Sequence, residues 1–280
     1  MNTLHFGGSG IASQVYAREK LDTVAGITFA KKIGLSALEL AFVHNVYLSP
    51  LTAEKVNIAA KHEKVELTVH APYYINLHPR SPKAGTFSKN LLLHAAKVGG
   101  LAGARNIAFH PASYLSQDPK IVFPIVRDNL IEVADRLASE HIDVVLRPEL
   151  RGKLAAFGNL EEIVALSKLR DTIKPCIDFA HHVACTNGKA NSFEEFCKVF
   201  TYLKNELGSS ALHDVHIHFA GILYTAKGET AHANFADCPF DYNALARAFA
   251  KFDIKGVAIC ESPDKEHDAL LMKKAYESYL

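Results

Sequence analysis

The sequence predicts a (β/α)8 TIM barrel, and three observations carry that expectation. Short β-rich apolar runs alternate with longer helical patterns along the chain. Six of the runs (ELTVHAP, NIAFHPA, DVVLRPEL, IKPCIDFAHH, DVHIHFAG and GVAICESP) carry a histidine or carboxylate at or just past their ends. Active-site groups of parallel α/β barrels collect on that rim. The length, 280 residues with 49% hydrophobic side chains, is enough for one large core, and barrels of this size commonly form one domain. Residues 1–280 are therefore read as a single TIM-barrel domain.

Each element has its own signal. LHFGG near residue 5 reads as the first strand, and residues 21–34 as a helix closed by Gly34. Ala37 to Val43 is the second strand and residues 51–63 its helix. ELTVHAP is the third, followed by a helix from Ser88 to Ala102. NIAFH precedes a helix over Val122 to Glu140, and DVVLRPE precedes one over Asn159 to Lys168. KPCIDFA leads to a helix from Ser192 to Leu207, where Ser192 followed by Glu195 is a capping-box signal. DVHIHFA precedes a loop and a helix over Tyr242 to Lys251. GVAICES is the eighth strand, and a helix from Asp264 closes the chain. Continuous apolar strands of this kind belong to a parallel sheet covered by helices. The longer loops, Tyr74 to Phe87, Val183 to Asn191 and Leu223 to Asp241, follow strands three, six and seven. Long loops on that rim are where substrate contacts are expected.

Composition narrows the function classes. A formal net charge of +1 gives no bulk drive toward nucleic acid or an anionic membrane, though a local basic rim is compatible with it. No apolar stretch is long enough to span a bilayer, and no secretory segment is recognised. Five cysteines without a CxxC pair suggest reduced thiols in a cytoplasmic protein. Cys176 and Cys260 lie inside apolar strands and read as core. No obligatory protein partner is evident.

The candidate ligands are His70, His110, Glu149, Asp178, His181, His216, Glu229, His232 and Glu261. Imidazole and carboxylate groups without thiolate suit Zn, Mn or Fe. Nine of them exceed what one tetrahedral ion needs, and two or three neighbouring ions can clamp a phosphodiester. Asp178-Phe-Ala-His181 is the stronger local signal, because a strand turning into a helix can aim both side chains at one ion. His218 shares a strand face with His216 and is read as its hydrogen-bonding neighbour, and His182 as structural. Glu39, in ALELAFV, is expected near the rim, paired with a cation.

VHAPYYINL at residues 69–77 resembles the third-strand motif of the endonuclease IV family, within the xylose-isomerase-like barrel superfamily. AFHPASY, CIDFAHHVA, HIHFAG, KGETAH and CESP follow in the family's order. FGGSGI and GLSALELAFVHNVYL look closer to an archaeal-type branch. The resemblance implies a zinc-dependent endonuclease that cleaves DNA 5′ to abasic sites, with up to three Zn2+ ions and Mn2+ as the alternative. It implies that His70 and His110 bind one ion and that Glu149 bridges to a second. Asp178, His216 and Glu261 complete the second, and His181, Glu229 and His232 hold the third. Glu149 and Glu261 are the catalytic carboxylates of this reading. Tyr73 corresponds to the family's DNA-contacting aromatic, and Arg147, Arg151 and Lys227 are candidate phosphate contacts. Two departures stand out. The acid precedes His232 by three positions rather than two, and the fifth-strand motif reads LRPELRGK. A sugar or sugar-phosphate isomerase or epimerase of the same superfamily is the competing class. It needs only Glu149, Asp178, His216 and Glu261.

Overall fold

The computed structural model describes residues 3–13, 15 and 22–280. The predicted barrel is present. Its strands are β1 (Leu4–Ser9), β2 (Ala37–Ala41), β3 (Glu66–His70), β4 (Asn106–Phe109), β5 (Val145–Pro148), β6 (Cys176–Asp178), β7 (Val215–Phe219) and β8 (Gly256–Cys260). All ladders are parallel, in the order β5-β4-β3-β2-β1-β8-β7-β6. Parallel bridges Leu146↔Ile173 and Glu149↔Cys176 join the two ends and complete the ring.

The surrounding helices are α1 (Thr23–Lys32), α2 (Pro50–Glu63), α3 (Pro82–Leu101), α4 (Pro119–Ser139), α5 (Leu160–Ser167), α6 (Phe179–Cys185), α7 (Phe193–Leu207), α8 (Tyr242–Lys251) and α9 (Lys265–Glu277). Their starts are set by capping side chains that accept otherwise unpaired backbone N–H groups. Asp22 caps α1, Ser49 caps α2, Ser81 caps α3 and Asn159 closes a capping box with Glu162 on α5. Residue 21, where the sequence started the first helix, lies outside the described residues.

Each of the three long loops expected after strands three, six and seven is partly regular structure. The helix expected from Ser88 begins at Pro82, because Ser81 caps it and a proline at the first turn gives up no needed donor. The segment expected to loop from Val183 is helical through Cys185, because Asp178 caps α6. The loop from Leu223 contains a β-hairpin, Gly221–Thr225 against Gly228–Ala233. Among the described residues, no helix is long and apolar enough to cross a membrane.

Apolar side chains from helices and the outer strand faces form the main core. Val69, Leu92, Ile107, Val126 and Leu130 are fully buried on one side of the barrel, and Phe179, Phe196, Phe200, Phe219 and Phe249 on the other. Residues two apart on a strand share its inner face, stacked about 6.6 Å apart at ~3.3 Å per residue. That layering decides which polar side chains reach the open rim.

Candidate metal centre

The C-terminal ends of the strands place eight ligand-type side chains around one cleft. His70 ends β3, His110 follows β4, Glu149 follows β5, Asp178 ends β6 and His181 stands one turn into α6. His218 lies near the end of β7, Glu261 follows β8, and His232 comes from the hairpin after β7. Glu229, from the same hairpin, is the ninth. The cleft, about 390 Å3, is lined by His70, His110, His181, Glu229, His232 and Glu261, with Tyr73, Arg151 and Lys153 on its walls.

Glu149 is fully buried at the centre. His70 Nε2 and His110 Nε2 each lie 3.0 Å from its Oε2. His70 donates from Nδ1 to the Ala71 carbonyl at 2.8 Å. A carbonyl only accepts, so this contact fixes the proton on Nδ1 and aims Nε2 at the carboxylate. His181 is fixed in the same way by the Leu150 carbonyl at 2.8 Å, and His232 by the Glu261 carbonyl at 3.1 Å. Their Nε2 atoms face Glu229, at 3.4 Å and 3.8 Å.

Whether these residues fit cations can be tested on their unsatisfied atoms. Buried polar groups are nearly always hydrogen-bonded. Here Glu149 Oε1, Asp178 Oδ2, His218 Nδ1 and His232 Nε2 are buried without a hydrogen-bond partner. Glu149, Asp178, His218 and Glu261 each offer an atom to one group within 4.8 Å, as do His70, His110 and Glu149, and Asp178, His181 and His232. Three overlapping groups of oxygen and nitrogen ligands, with orphaned acceptors between them, fit divalent cations. Asp178 serves twice. Its Oδ1 accepts the His181 N–H at 2.7 Å and caps α6, while Oδ2 is buried without a hydrogen-bond partner.

Electrostatics point the same way. Burial would lower His70, but its hydrogen bond to Glu149 and the surrounding carboxylates hold it up at about 9. Burial would likewise lower His181, and Asp178, Glu149 and Glu229 lift it to about 10. Burial, with Arg151 beside it, holds His110 down at about 3 despite Glu149. The ring centroids of His70 and His110 are only 4.9 Å apart, so a charge on one disfavours a charge on the other. Burial would raise Glu149, but His110, His181 and His218 keep it well below the usual carboxylate range. Protons sit on His70 and His181, where a cation would displace them, whereas His110 already presents a neutral ring.

Five expected residues lie elsewhere than the sequence suggests. His216 was expected in the second ion's ligand set, with His218 as its neighbour. The order is reversed. His218 joins Glu149, Asp178 and Glu261, whereas His216 lies one layer deeper, beside Glu39 at 3.1 Å. Glu39 is not at the rim but fully buried in that deeper layer. Arg147, two residues before Glu149, also points into the lower barrel. It donates to Asn106 Oδ1 at 2.8 Å and to Asp214 at 2.8 Å, is 1% exposed, and does not line the cleft. Lys227 is exposed at the hairpin turn and does not line the cleft. Lys153, bridged to Gly228 across from that turn, does. Tyr73 and Arg151 both line the cleft. Tyr73 is 45% exposed on the cleft wall and leans against Tyr74, with ring centroids 4.3 Å apart and the planes tilted by 38°. Arg151 has a buried Nε without a partner.

The odd spacing of Glu229 and His232 has a structural cause. The hairpin register slips between Leu223 and Tyr224, so that Leu223 pairs with Ala231 but Tyr224 pairs with Glu229. Thr230 is the extra residue of a β-bulge, and the bulge returns Glu229 to the face occupied by His232. Gly152 makes room for this arrangement. A Cβ there would lie 2.6 Å from His181 Cδ2 and 2.7 Å from Glu229 Oε2. Neither Gly152 nor Lys153 carries a signal in the sequence beyond its nearness to Glu149.

Comparisons with known proteins agree with this architecture. The family model described as Xylose isomerase-like TIM barrel matches residues 27–279. An uncharacterized protein of Methanocaldococcus jannaschii is 34% identical over 255 residues, covering 91% of this chain and 92% of its own. A probable endonuclease 4 of Mycoplasma pneumoniae is 25% identical over 211 residues, covering 73% and 71%. Among solved structures, endonuclease IV of Thermus thermophilus superposes with a TM-score of 0.70 at 18% identity, covering 99% of this chain and 98% of its own. A D-tagatose 3-epimerase-like protein reaches the same TM-score at 17% identity, covering 97% and 96%. These two likenesses speak for the fold alone. The endonuclease IV resemblance seen in the motifs is matched by relatives at the sequence level. The chain belongs to the xylose isomerase-like TIM barrel family.

Proposed function

We propose that the chain is a metal-dependent phosphodiester hydrolase that nicks DNA on the 5′ side of abasic sites. One observation carries the reading. The four groups Glu149, Asp178, His218 and Glu261 would serve a single-ion sugar epimerase, yet His70, His110, His181 and His232 surround the same cleft, with Glu229 between the last two. An epimerase has no use for those additional ligands. A multinuclear phosphodiesterase does.

Zn2+, in up to three ions, is the cofactor of this reading, with Mn2+ as the alternative. When bound, such ions supply Lewis-acid activation of water and of phosphoryl oxygens. The chain's own groups position the rest. Glu149 spans the His70–His110 pair and the His218 side of the site. Glu261 closes the far side, 3.8 Å from His218 Nδ1. Arg151 and Lys153 place two cationic side chains on the wall that a phosphate backbone would follow. Guanidinium suits bidentate phosphate contacts, and lysine acts as a point charge. The Tyr73–Tyr74 pair gives an exposed stacking surface at the cleft mouth.

The test is a nicking assay on a synthetic oligonucleotide with one abasic site, duplex and single-stranded, at low and moderate salt. Activity that disappears with chelator and returns with zinc or manganese is expected, with poor discrimination between duplex and single strand. Fully loaded protein that leaves the oligonucleotide intact but epimerises a ketose or its phosphate would replace this reading with the epimerase. The second reading has its own support, because the Glu149–Asp178–His218–Glu261 group is complete by itself.

A further inference from the structure

We propose that Glu39 is a positioning residue of the candidate centre, holding His218 in the one tautomer and orientation in which its Nδ1 can bind a cation. The inference rests on the metal-binding reading of the site and is independent of the substrate.

The centre's histidines are held in two different ways. His70, His181 and His232 donate from Nδ1 to backbone carbonyls and leave Nε2 facing the cleft. His218 is turned round. Its Nδ1 is buried without a hydrogen-bond partner, 3.6 Å from Glu149 Oε1 and 3.8 Å from Glu261 Oε1. Its Nε2 lies 3.2 Å from Glu39 Oε2. No backbone carbonyl fixes this ring, so a side chain does. His216 Nε2 also lies 3.1 Å from His218 Nε2, and Glu39 Oε2 sits between the two rings, within 3.2 Å of both. An ionised carboxylate can only accept, so both rings can donate from Nε2 to that oxygen, which leaves the His218 Nδ1 lone pair aimed between Glu149 and Glu261.

Glu39 is built to stay in place. It is fully buried on β2. Ser9 Oγ donates to its Oε1 at 3.1 Å, and Thr68 Oγ1 donates to Oε2 at 3.0 Å. His216 Nε2 lies 3.1 Å from Oε2, while His216 Nδ1 has no partner. With its proton on Nε2, His216 leaves only an acceptor orphaned, which costs less than an orphaned donor. Two N–H groups and a hydroxyl then converge on one oxygen, an arrangement that suits a full negative charge. No local stretch of sequence contains this pair, because Glu39 and His218 are 179 residues apart.

The test uses Co2+ as a probe, in competition with a chromophoric chelator, on full-length protein without nucleic acid. Glu39→Gln keeps the shape and removes the charge. It is expected to weaken one ion about 10–100-fold, as loss of a carboxylate behind a metal-bound histidine does, and to change that ion's visible absorption. The other ions are expected to bind as before. In a His218→Ala background the same substitution is expected to add less than about twofold, because coupled effects vanish when the shared partner is gone. Binding within about twofold of wild type in folded Glu39→Gln protein would overturn the proposal. So would the full loss persisting in the His218→Ala background, which would make Glu39 a packing residue. If Glu39→Gln does not fold, Thr68→Val strips one donor from the same oxygen. It is expected to weaken that one ion about threefold, the scale of one hydrogen bond, and unchanged binding would overturn the proposal. Wild-type protein that binds no Co2+ or zinc would overturn the metal reading as well, whereas failure to cut abasic DNA would leave this result untouched.

Discussion

Gly152→Ala is the most economical probe of the proposed third ion. The substitution adds one methyl group, and Gly152 does not have a positive φ, so alanine brings no backbone strain. The new Cβ would lie 2.6 Å from His181 Cδ2 and 2.7 Å from Glu229 Oε2. Carbon contacts settle at about 3.5–4.0 Å, so one or both side chains must move by roughly 1 Å. Metal–ligand distances tolerate only about 0.2 Å, and the required shift is several times larger. His181 cannot retreat freely, because its Nδ1 is tied to Leu150 and its backbone N–H to Asp178. An overpacking cost of about 1–3 kcal/mol corresponds to roughly 5–150-fold in affinity. The expected outcome is loss of one ion at limiting zinc, with the ions near His70 and His218 retained. Elemental analysis at buffered free zinc, with circular dichroism to verify folding, measures this. Protein that folds and keeps wild-type stoichiometry and affinity would show that His181 and Glu229 do not share an ion.

Other predictions follow from the same geometry. Glu149→Gln is expected to abolish abasic-site nicking and to lower bound metal, because a neutral amide cannot face His70 and His110 and still serve the Asp178 side; unchanged metal content and turnover would remove Glu149 from the centre. Arg151→Ala and Lys153→Ala are each expected to weaken DNA binding and lower the salt slope by about 1, whereas Lys227→Ala, outside the cleft, leaves both unchanged in a fluorescence-anisotropy titration. The metal-free protein should be most stable near the ordinary histidine pKa of about 6.5. His70 is held up at about 9, so its contribution is complete below pH ~6.5 and is lost as pH rises through about 9. His216, held down at about 4 by burial, contributes stability above pH ~6.5 that is lost as pH falls toward about 4. Thermal melts in chelator across that range measure it, and a melting temperature that climbs steadily from neutral pH to about 9 would contradict the assignment of His70.

The sequence and the structure agree where the period of the pattern carries the information, and part where height along a strand does. Alternation along DVHIHFAG says that His216 and His218 share the inner face, but it cannot say which layer reaches the rim. Register answers that. His218 pairs across to Asp178 and Ile259, near the strand ends, while His216 pairs to Cys176 and Val257 one layer down. The same ambiguity misplaced Arg147 relative to Glu149. Glu229 and His232 lie three residues apart in what the sequence presents as a loop, and in the hairpin strict alternation would send the two side chains to opposite faces. A bulge at Thr230 absorbs the extra residue. Glu39 shows the limit of local reading. Its role depends on partners from β1, β3 and β7, and no window of sequence contains them. Function follows a similar division. Barrel shape cannot separate a nuclease from an epimerase, since both superpose on this chain with a TM-score of 0.70. Under the proposed function the separation lies in His70, His110, His181 and His232. Three of them are fixed by backbone carbonyls with Nε2 turned to the cleft. A fold that spends backbone acceptors on orienting these rings holds them ready for ligands that a one-ion site does not require.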